Sequence, residues 1–232
     1  MKDALTYKIS CPSCGASSGF SEKRPGSYTC GYCGTAFEHQ SIIPSKNQEK
    51  VLYDYFVVLQ QDYKNVSQEN PDRDTIVYGL LMQMNGIVEG LVSSVSFEEV
   101  LQKYVDYTSK EIDHLESIGL REITTLDIVL EKDIMLEAKL LADYKLSLSQ
   151  TFFKFKKEEK SLTKALQYVS SAEAIYLIIF TTFDHNITGL KLDILKYLGL
   201  EKELNSALQN ALHSEDNAFV ERIRFRFKEF IH

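Results

Sequence analysis

The four cysteines of the chain are its most chemically distinctive residues, and they fall into two close pairs. They are Cys11, Cys14, Cys30 and Cys33. Each pair has the spacing C-x-x-C, and 15 residues separate the two pairs. Gly15 and Gly34 each follow a pair directly and permit the positive φ with which a tight cysteine turn ends. Two such turns can offer four thiolates, at about 2.3 Å, to one divalent ion that prefers tetrahedral coordination.

Short runs of β-forming residues flank the two cysteine pairs. TYKIS precedes the first pair, and GSYTC and TAFE stand on either side of the second pair. The pattern CPSCG followed by CGYCG resembles the zinc-ribbon family over residues 5–40. The resemblance implies one structural zinc held by all four cysteines. Such a module is too small to bury a sufficient apolar core without its metal.

Other interpretations of the cysteine turns remain open, among them a pair of redox disulfides. The cysteine pattern also resembles that of rubredoxin, which holds iron between two C-x-x-C-G turns. Rubrerythrin joins such a module to a helical bundle, and the di-iron centre of that bundle needs two Glu-x-x-His pairs. Only Glu111 and His114 fit that pattern here, so we interpret them as a solvated helix face. The spacing is also similar to the amino-terminal ribbon of transcription factor B proteins, but this chain lacks the duplicated repeats and basic charge of their helical bodies.

Composition indicates a folded protein with an acidic body. Hydrophobic residues make up 44% and charged residues 25% of the 232 residues, which is typical of globular chains. The formal net charge is −7, and residues 1–42 hold four basic and three acidic residues, so the acidic excess lies in residues 43–232. An acidic body is a poor partner for nucleic-acid phosphates, because basic charge dominates that affinity.

The sequence predicts a cytoplasmic protein. Its start, MKDALTYKIS, lacks the apolar core of a secretion signal. The most apolar run, AEAIYLIIFTTF at 172–183, has 12 residues, whereas a membrane-spanning helix needs about 20. The reducing conditions of the cytoplasm in turn disfavour structural disulfides between the cysteines.

Proline and glycine mark the domain boundary. All four prolines lie at or before Pro71, and five of the eleven glycines lie in the first 34 residues. A long proline-free remainder is typical of helices. We therefore predict a mainly α protein, with a small β zinc ribbon at 1–42 and an all-α domain of about six to eight helices at 43–232.

Apolar residues recur at intervals of three and four through the second domain, which predicts amphipathic helices. SFEE at 96–99 predicts a capping box at the start of the third helix. One apolar stripe runs from Leu126 to Phe155 and predicts a single helix of about 30 residues. The first predicted helix begins after Ser45 or Asn47, either of which could cap it, and its apolar face runs from Val51 to Val66. The other predicted helices cover residues 74–92, 96–119, 161–183, 188–197, 201–212 and 217–231.

Basic and aromatic residues offer two candidate contact surfaces for nucleic acid or a partner protein. On the ribbon they are Lys8, Lys23, Arg24 and Tyr32. Near the carboxy-terminal end they are Arg222, Arg224, Arg226 and Lys228. This second set alternates with apolar residues, but the helical neighbourhood favours a packed terminal helix with a solvated basic side. A further basic cluster, KFKKEEK at 154–160, also interrupts the acidic body.

Gly79, Gly86 and Gly90 lie on one side of the second predicted helix. Small residues allow another helix to approach closely. We interpret this face as internal packing, with self-association as the alternative.

The sequence predicts a protein that is not an enzyme. It has no glycine-rich phosphate loop, nucleophile elbow or HExxH motif, and the metal site uses every cysteine. The predicted function is a non-catalytic zinc-ribbon adaptor, or a subunit of a larger protein or protein–nucleic-acid assembly. The alternatives are a nucleic-acid-binding regulator and, less favoured, a rubredoxin-like iron protein that transfers electrons.

Overall fold

The structure is a computed structural model that describes residues 20–24, 27–30, 36–38, 46–120, 125–131, 134–180 and 184–231. The chain divides into two compact units, Met1–Lys46 and Asn47–His232. The division lies four residues beyond the predicted boundary at 42. Each unit is described by itself below.

Three short strands are described in the first unit. They are β1 Phe20–Arg24, β2 Ser27–Cys30 and β3 Ala36–Glu38. They form one antiparallel sheet in the order β1-β2-β3, with Phe20 opposite Cys30 and Thr29 opposite Ala36. β2 and β3 cover the segments SYTC and AFE, whereas TYKIS lies outside the described residues.

The described residues from 46 onward are all-helical and form nine helices, one more than the upper end of the predicted range. They are α1 Lys46–Asn65, α2 Arg73–Gly90, α3 Phe97–Ser117, α4 Leu126–Glu131, α5 Met135–Phe155, α6 Glu159–Phe180, α7 His185–Leu198, α8 Glu201–Leu212 and α9 Asn217–Arg226. The bounds of α8 are those predicted from the sequence.

The predicted single helix from Leu126 to Phe155 is wrong, because two helices occupy that span. α4 ends at Glu131 and α5 begins at Met135. The amide of Ile134 donates to the carbonyl of Val129, five residues back, rather than to the residue four back that a continuous α-helix uses. Leu130, which the stripe places in the core, is exposed. No proline or glycine in this segment marks the interruption.

The helix ends also differ from two predictions. The Ser96 side chain makes no capping hydrogen bond to α3, and its hydroxyl pairs with Ser94 Oγ at 2.9 Å, so the predicted capping box does not form. Asp184 and Asp216 instead cap α7 and α9 through their carboxylates. The terminal helix stops at Arg226 rather than near residue 231.

Two apolar clusters hold the helical unit together. The larger cluster draws on α1 to α7, and the extensive packing of α5 against α6 lies at its centre. Its largest fully buried side chains include Tyr104, Tyr144 and Phe56. The smaller cluster joins α7, α8 and α9 and includes Phe219, Ile223 and Phe227. These positions follow the predicted apolar face of a terminal helix, which confirms a packed helix rather than a strand there.

Among the described residues, no helix combines the length and the apolar character that crossing a membrane requires.

Candidate functional site

The predicted metal ligands lie mostly outside the described residues. This holds for Cys11, Cys14 and Cys33, while Cys30 is the last residue of β2. Thr29 of β2 pairs with Ala36 of β3 in antiparallel orientation, and the second cysteine pair lies between these two residues in the sequence.

The candidate contact residues of the first unit are divided in the same way. Lys8 and Tyr32 lie outside the described residues. Lys23 and Arg24 belong to β1, whose pairing with β2 is irregular between Glu22 and Arg24.

The candidate basic residues at the carboxy-terminal end are partly neutralised. Arg224 pairs with Glu221 at 2.8 Å, and Arg226 pairs with Asp193 of α7. The hydrogen bond from the backbone amide of Phe219 holds the pKa of the Asp216 carboxyl below its usual value, and electrostatic interactions with His185 and Arg222 contribute. Lys228 follows the helix and is exposed. Acidic neighbours therefore interrupt the predicted basic side of α9.

The glycine face of α2 packs internally at one position. A Cβ added at Gly90 would lie 3.0 Å from Leu52 Cδ1 of α1, whereas one added at Gly79 or Gly86 would meet no described atom within 4 Å. Close helix approach therefore explains Gly90. Self-association across Gly79 and Gly86 stays a prediction.

Glu111 is buried, and the predicted solvated face at Glu111 and His114 is wrong for this residue. The Glu111 side chain is 2% exposed and forms a two-point ion pair with Arg73, with Nη1–Oε2 at 2.8 Å and Nη2–Oε1 at 3.0 Å. The Tyr63 hydroxyl donates to Glu111 Oε1 at 2.5 Å. Burial raises the pKa of Tyr63 well above its usual value, and the hydrogen bond to Glu111 adds to the shift. This network joins α1, α2 and α3.

His114 is half-buried, and it does not join Glu111 in a metal site. No group of three or more His, Cys, Asp or Glu side chains within the described ranges could hold a metal ion. Both Glu111 oxygens are already engaged by Arg73 and Tyr63. These observations give no support to a carboxylate-bridged metal centre in the described helices.

An Asp–His–Ser arrangement that the sequence analysis missed joins the starts of α7 and α9. His185 Nδ1 lies 3.2 Å from Asp216 Oδ2, and His185 Nε2 lies 3.5 Å from Ser214 Oγ. These residue types in this order also serve nucleophilic catalysis, in which the base must bond the nucleophile closely. Here 3.5 Å is beyond a normal hydrogen bond.

The same side chains stabilise the start of α9. Ser214 Oγ accepts the Asp216 amide at 3.2 Å, and Asp216 Oδ1 accepts the Phe219 amide at 3.0 Å. The His185 ring stacks on Phe219 with centroids 4.2 Å apart. The neighbouring pocket has a volume of about 50 Å³, well below the roughly 300–1,000 Å³ of a typical small-molecule site. The arrangement is thus a helix cap, and the signal for it in the sequence was the SED segment before α9.

No family model matches the chain. Comparisons with curated proteins and with solved structures found no significant match.

Proposed function

We propose that this protein is a non-catalytic zinc-ribbon adaptor, or a subunit of a larger assembly. One zinc is bound by Cys11, Cys14, Cys30 and Cys33 and has a structural role. The observation that carries the proposal is the double C-x-x-C pattern with its 15-residue spacing. The antiparallel pairing of β2 with β3, which flank the second cysteine pair in the sequence, supports it. Thiolate ligands also favour zinc or iron over magnesium or calcium.

The zinc in this proposal supplies folding free energy to the ribbon rather than reactivity. A site closed by four protein ligands leaves no position for a substrate or an activated water. The metal fixes a small rigid surface between the two cysteine pairs, a segment whose basic residues are Lys23 and Arg24. We place the protein in the cytoplasm, where the thiolates remain reduced and available to the metal.

Protein is the favoured partner class over nucleic acid. The helical unit is acidic, and two of the four basic residues near its end already pair with Glu221 and Asp193. A nucleic-acid-binding regulator would need unpaired basic residues from several elements on one face. A rubredoxin-like protein would differ by colour, because ferric iron bound by four thiolates absorbs visible light and zinc does not.

Affinity capture from the native host tests the adaptor function. The baits are the full chain, the Cys11→Ser, Cys14→Ser variant and a control variant with Ser13→Ala and Ser17→Ala in the same segment. We expect the first and third baits to retain a stoichiometric protein partner and the second to lose it. A partner that binds all three baits equally would contradict a role for the zinc-braced surface.

A further inference from the structure

Lysines pack on aromatic rings where α5, α6 and α7 meet. Lys157, between α5 and α6, places its Nζ 3.7 Å from the centroid of the Phe153 ring and 4.9 Å from that of Tyr197. Lys164, on the second turn of α6, places its Nζ 5.4 Å from the centroid of Tyr168. We call these side chains the lysine–aromatic surface; the Phe152 ring beside Tyr168 and Lys164 is buried.

Two pairs of rings in this region join α5 to α7 and to α6. Phe153 of α5 meets Tyr197 of α7 edge to face, with centroids 6.2 Å apart. Phe152 of α5 stacks on Tyr168 of α6 at 6.3 Å. Lys164 lies 5.9 Å from the Phe152 ring as well. The rings hold both ammonium groups in position, so fewer rotamers are lost when an anion binds them.

The charge around this surface is locally positive on an acidic chain. Residues 154–164 contain five lysines and two glutamates, whereas the whole chain has a net charge of −7. Lys154 is already paired with Glu89 at 2.8 Å. By contrast, no carboxylate in the described part of the chain forms an ion pair with Lys164, although Glu158 and Glu159 are exposed nearby. Its ammonium hydrogens are therefore free to donate to an incoming carboxylate.

Apolar area accompanies this charge. The Tyr197 side chain is 53% exposed, and Leu200 just beyond α7 is 36% exposed. A partner that matches both features carries carboxylates with apolar side chains between them. A phosphate backbone matches less well, because an acidic body repels a polyanion and few lysines are present to neutralise it.

We propose that the lysine–aromatic surface binds an acidic, apolar-containing segment of a partner protein. The inference rests on the proposed adaptor function and gives the chemistry of one contact that the partner makes. It assigns this contact to the helical unit rather than to the cysteine-containing segment or α9. Lys157 and Lys164 bind carboxylates, and Tyr197 contacts the apolar side chains between them.

Fluorescence anisotropy with the full zinc-loaded chain tests the inference. The probe is a fluorescein-labelled peptide of glutamates interspersed with glycine and two leucines, and the control peptide has glutamine in place of glutamate. We expect saturable binding of the glutamate peptide alone, weakening several-fold between about 50 and 300 mM salt because the lysines are solvent-accessible.

Matched charge variants identify the surface. Lys157→Gln with Lys164→Gln should weaken peptide binding about tenfold, whereas Lys64→Gln with Lys110→Gln, the same charge change on α1 and α3, should weaken it less than about twofold. Lys157→Arg with Lys164→Arg should retain binding, since the positive charges remain. Circular dichroism checks that each variant keeps its helices.

Three results would overturn the inference: no saturable binding, equal losses in the two glutamine variants, or tighter binding of a single-stranded oligonucleotide than of the peptide. Zinc content and capture of the partner are measured on the same variants. If the peptide does not bind while zinc content and ribbon-dependent capture of the partner are intact, this inference alone is refuted. If capture no longer depends on the ribbon while the peptide still binds, only the proposed role of the ribbon is refuted.

Discussion

Arg73 and Glu111, 38 positions apart in the chain, form a buried ion pair with two nitrogen–oxygen contacts of 2.8 and 3.0 Å. The pair joins α2 to α3, and the Tyr63 hydroxyl from α1 completes it. Both side chains are buried, and Arg73 also pairs with Asp74 Oδ1 at 2.7 Å. Loss of either member of the buried pair would leave a charge removed from water and incompletely compensated. Several properties of the helical unit follow from this relationship.

Glu111→Gln should destabilise the helical unit by about 2–3 kcal/mol, because it removes the buried carboxylate that pairs with Arg73 and leaves the guanidinium only the more exposed Asp74 as a counter-charge. Urea unfolding followed by circular dichroism measures the loss. Glu89→Gln, which breaks an exposed pair with Lys154, is the control and should change the free energy of unfolding by less than about 0.5 kcal/mol. Equal effects of the two variants would contradict the buried pair.

Tyr63 gives the unit a specific sensitivity to alkaline pH. Burial and the hydrogen bond to Glu111 raise the pKa of Tyr63 above its ordinary value near 10. As pH rises through about 10, the unfolded chain loses this proton while the native state keeps it, so the free energy of unfolding falls. Below the ordinary pKa this contribution is fully present.

Tyr63→Phe removes the titrating group and should make that alkaline fall shallower. Urea unfolding of wild type and variant at a series of pH values from about 8 to 11 measures the two slopes. The variant also loses a hydrogen bond at every pH, so the slope and not the absolute stability is the test. Identical slopes would show that Tyr63 keeps an ordinary pKa.

Two buried tyrosines should respond differently to loss of the hydroxyl. Tyr104 Oη lies 2.6 Å from Ser147 Oγ, whereas the Tyr144 hydroxyl has no hydrogen-bond partner among the described residues. Tyr104→Phe should cost about 1 kcal/mol, and Tyr144→Phe should be neutral or stabilising. Thermal and urea unfolding compare them. A larger loss for Tyr144→Phe than for Tyr104→Phe would be inconsistent with this hydrogen-bond pattern.

The glycines of α2 provide a stability test with an internal control. Gly86→Ala should stabilise the protein by about 0.5–1 kcal/mol, because alanine favours a helix and its methyl group meets open space. Gly90→Ala should gain less, since its Cβ would lie 3.0 Å from Leu52 Cδ1. Equal gains in stability from Gly86→Ala and Gly90→Ala would contradict the close approach of α1.

Sedimentation of Gly86→Leu against wild type tests self-association across this face.

Local sequence signals predicted the parts of the fold that local chemistry determines. The bounds of α8 follow from Gly199, which ends α7 with a φ of 68°, and from the turn after Leu212. The interruption before α5 has no such signal, since a hydrogen bond five residues back defines it. Ser96 satisfied the capping pattern, but a neighbouring hydroxyl at Ser94 competes for its side chain.

Long-range partners account for what could not be predicted of the candidate sites. In the sequence, Glu111 on α3 looks like a solvated residue. The packing of three helices brings Arg73 and Tyr63 into contact with it. The basic run at 154–160 was visible, but its partnership with Tyr197 depends on the approach of α7 to the end of α5. Sequence spacing alone can predict a site only where its residues lie close together in the chain, as the cysteine pairs do.

Metal analysis of the purified full chain tests the central claim most directly. We predict one zinc per chain, no visible absorption, and loss of the zinc in the Cys11→Ser, Cys14→Ser variant while the helical circular dichroism is retained. A chain without zinc, a coloured iron protein, or a variant that keeps its zinc would contradict the zinc-ribbon adaptor.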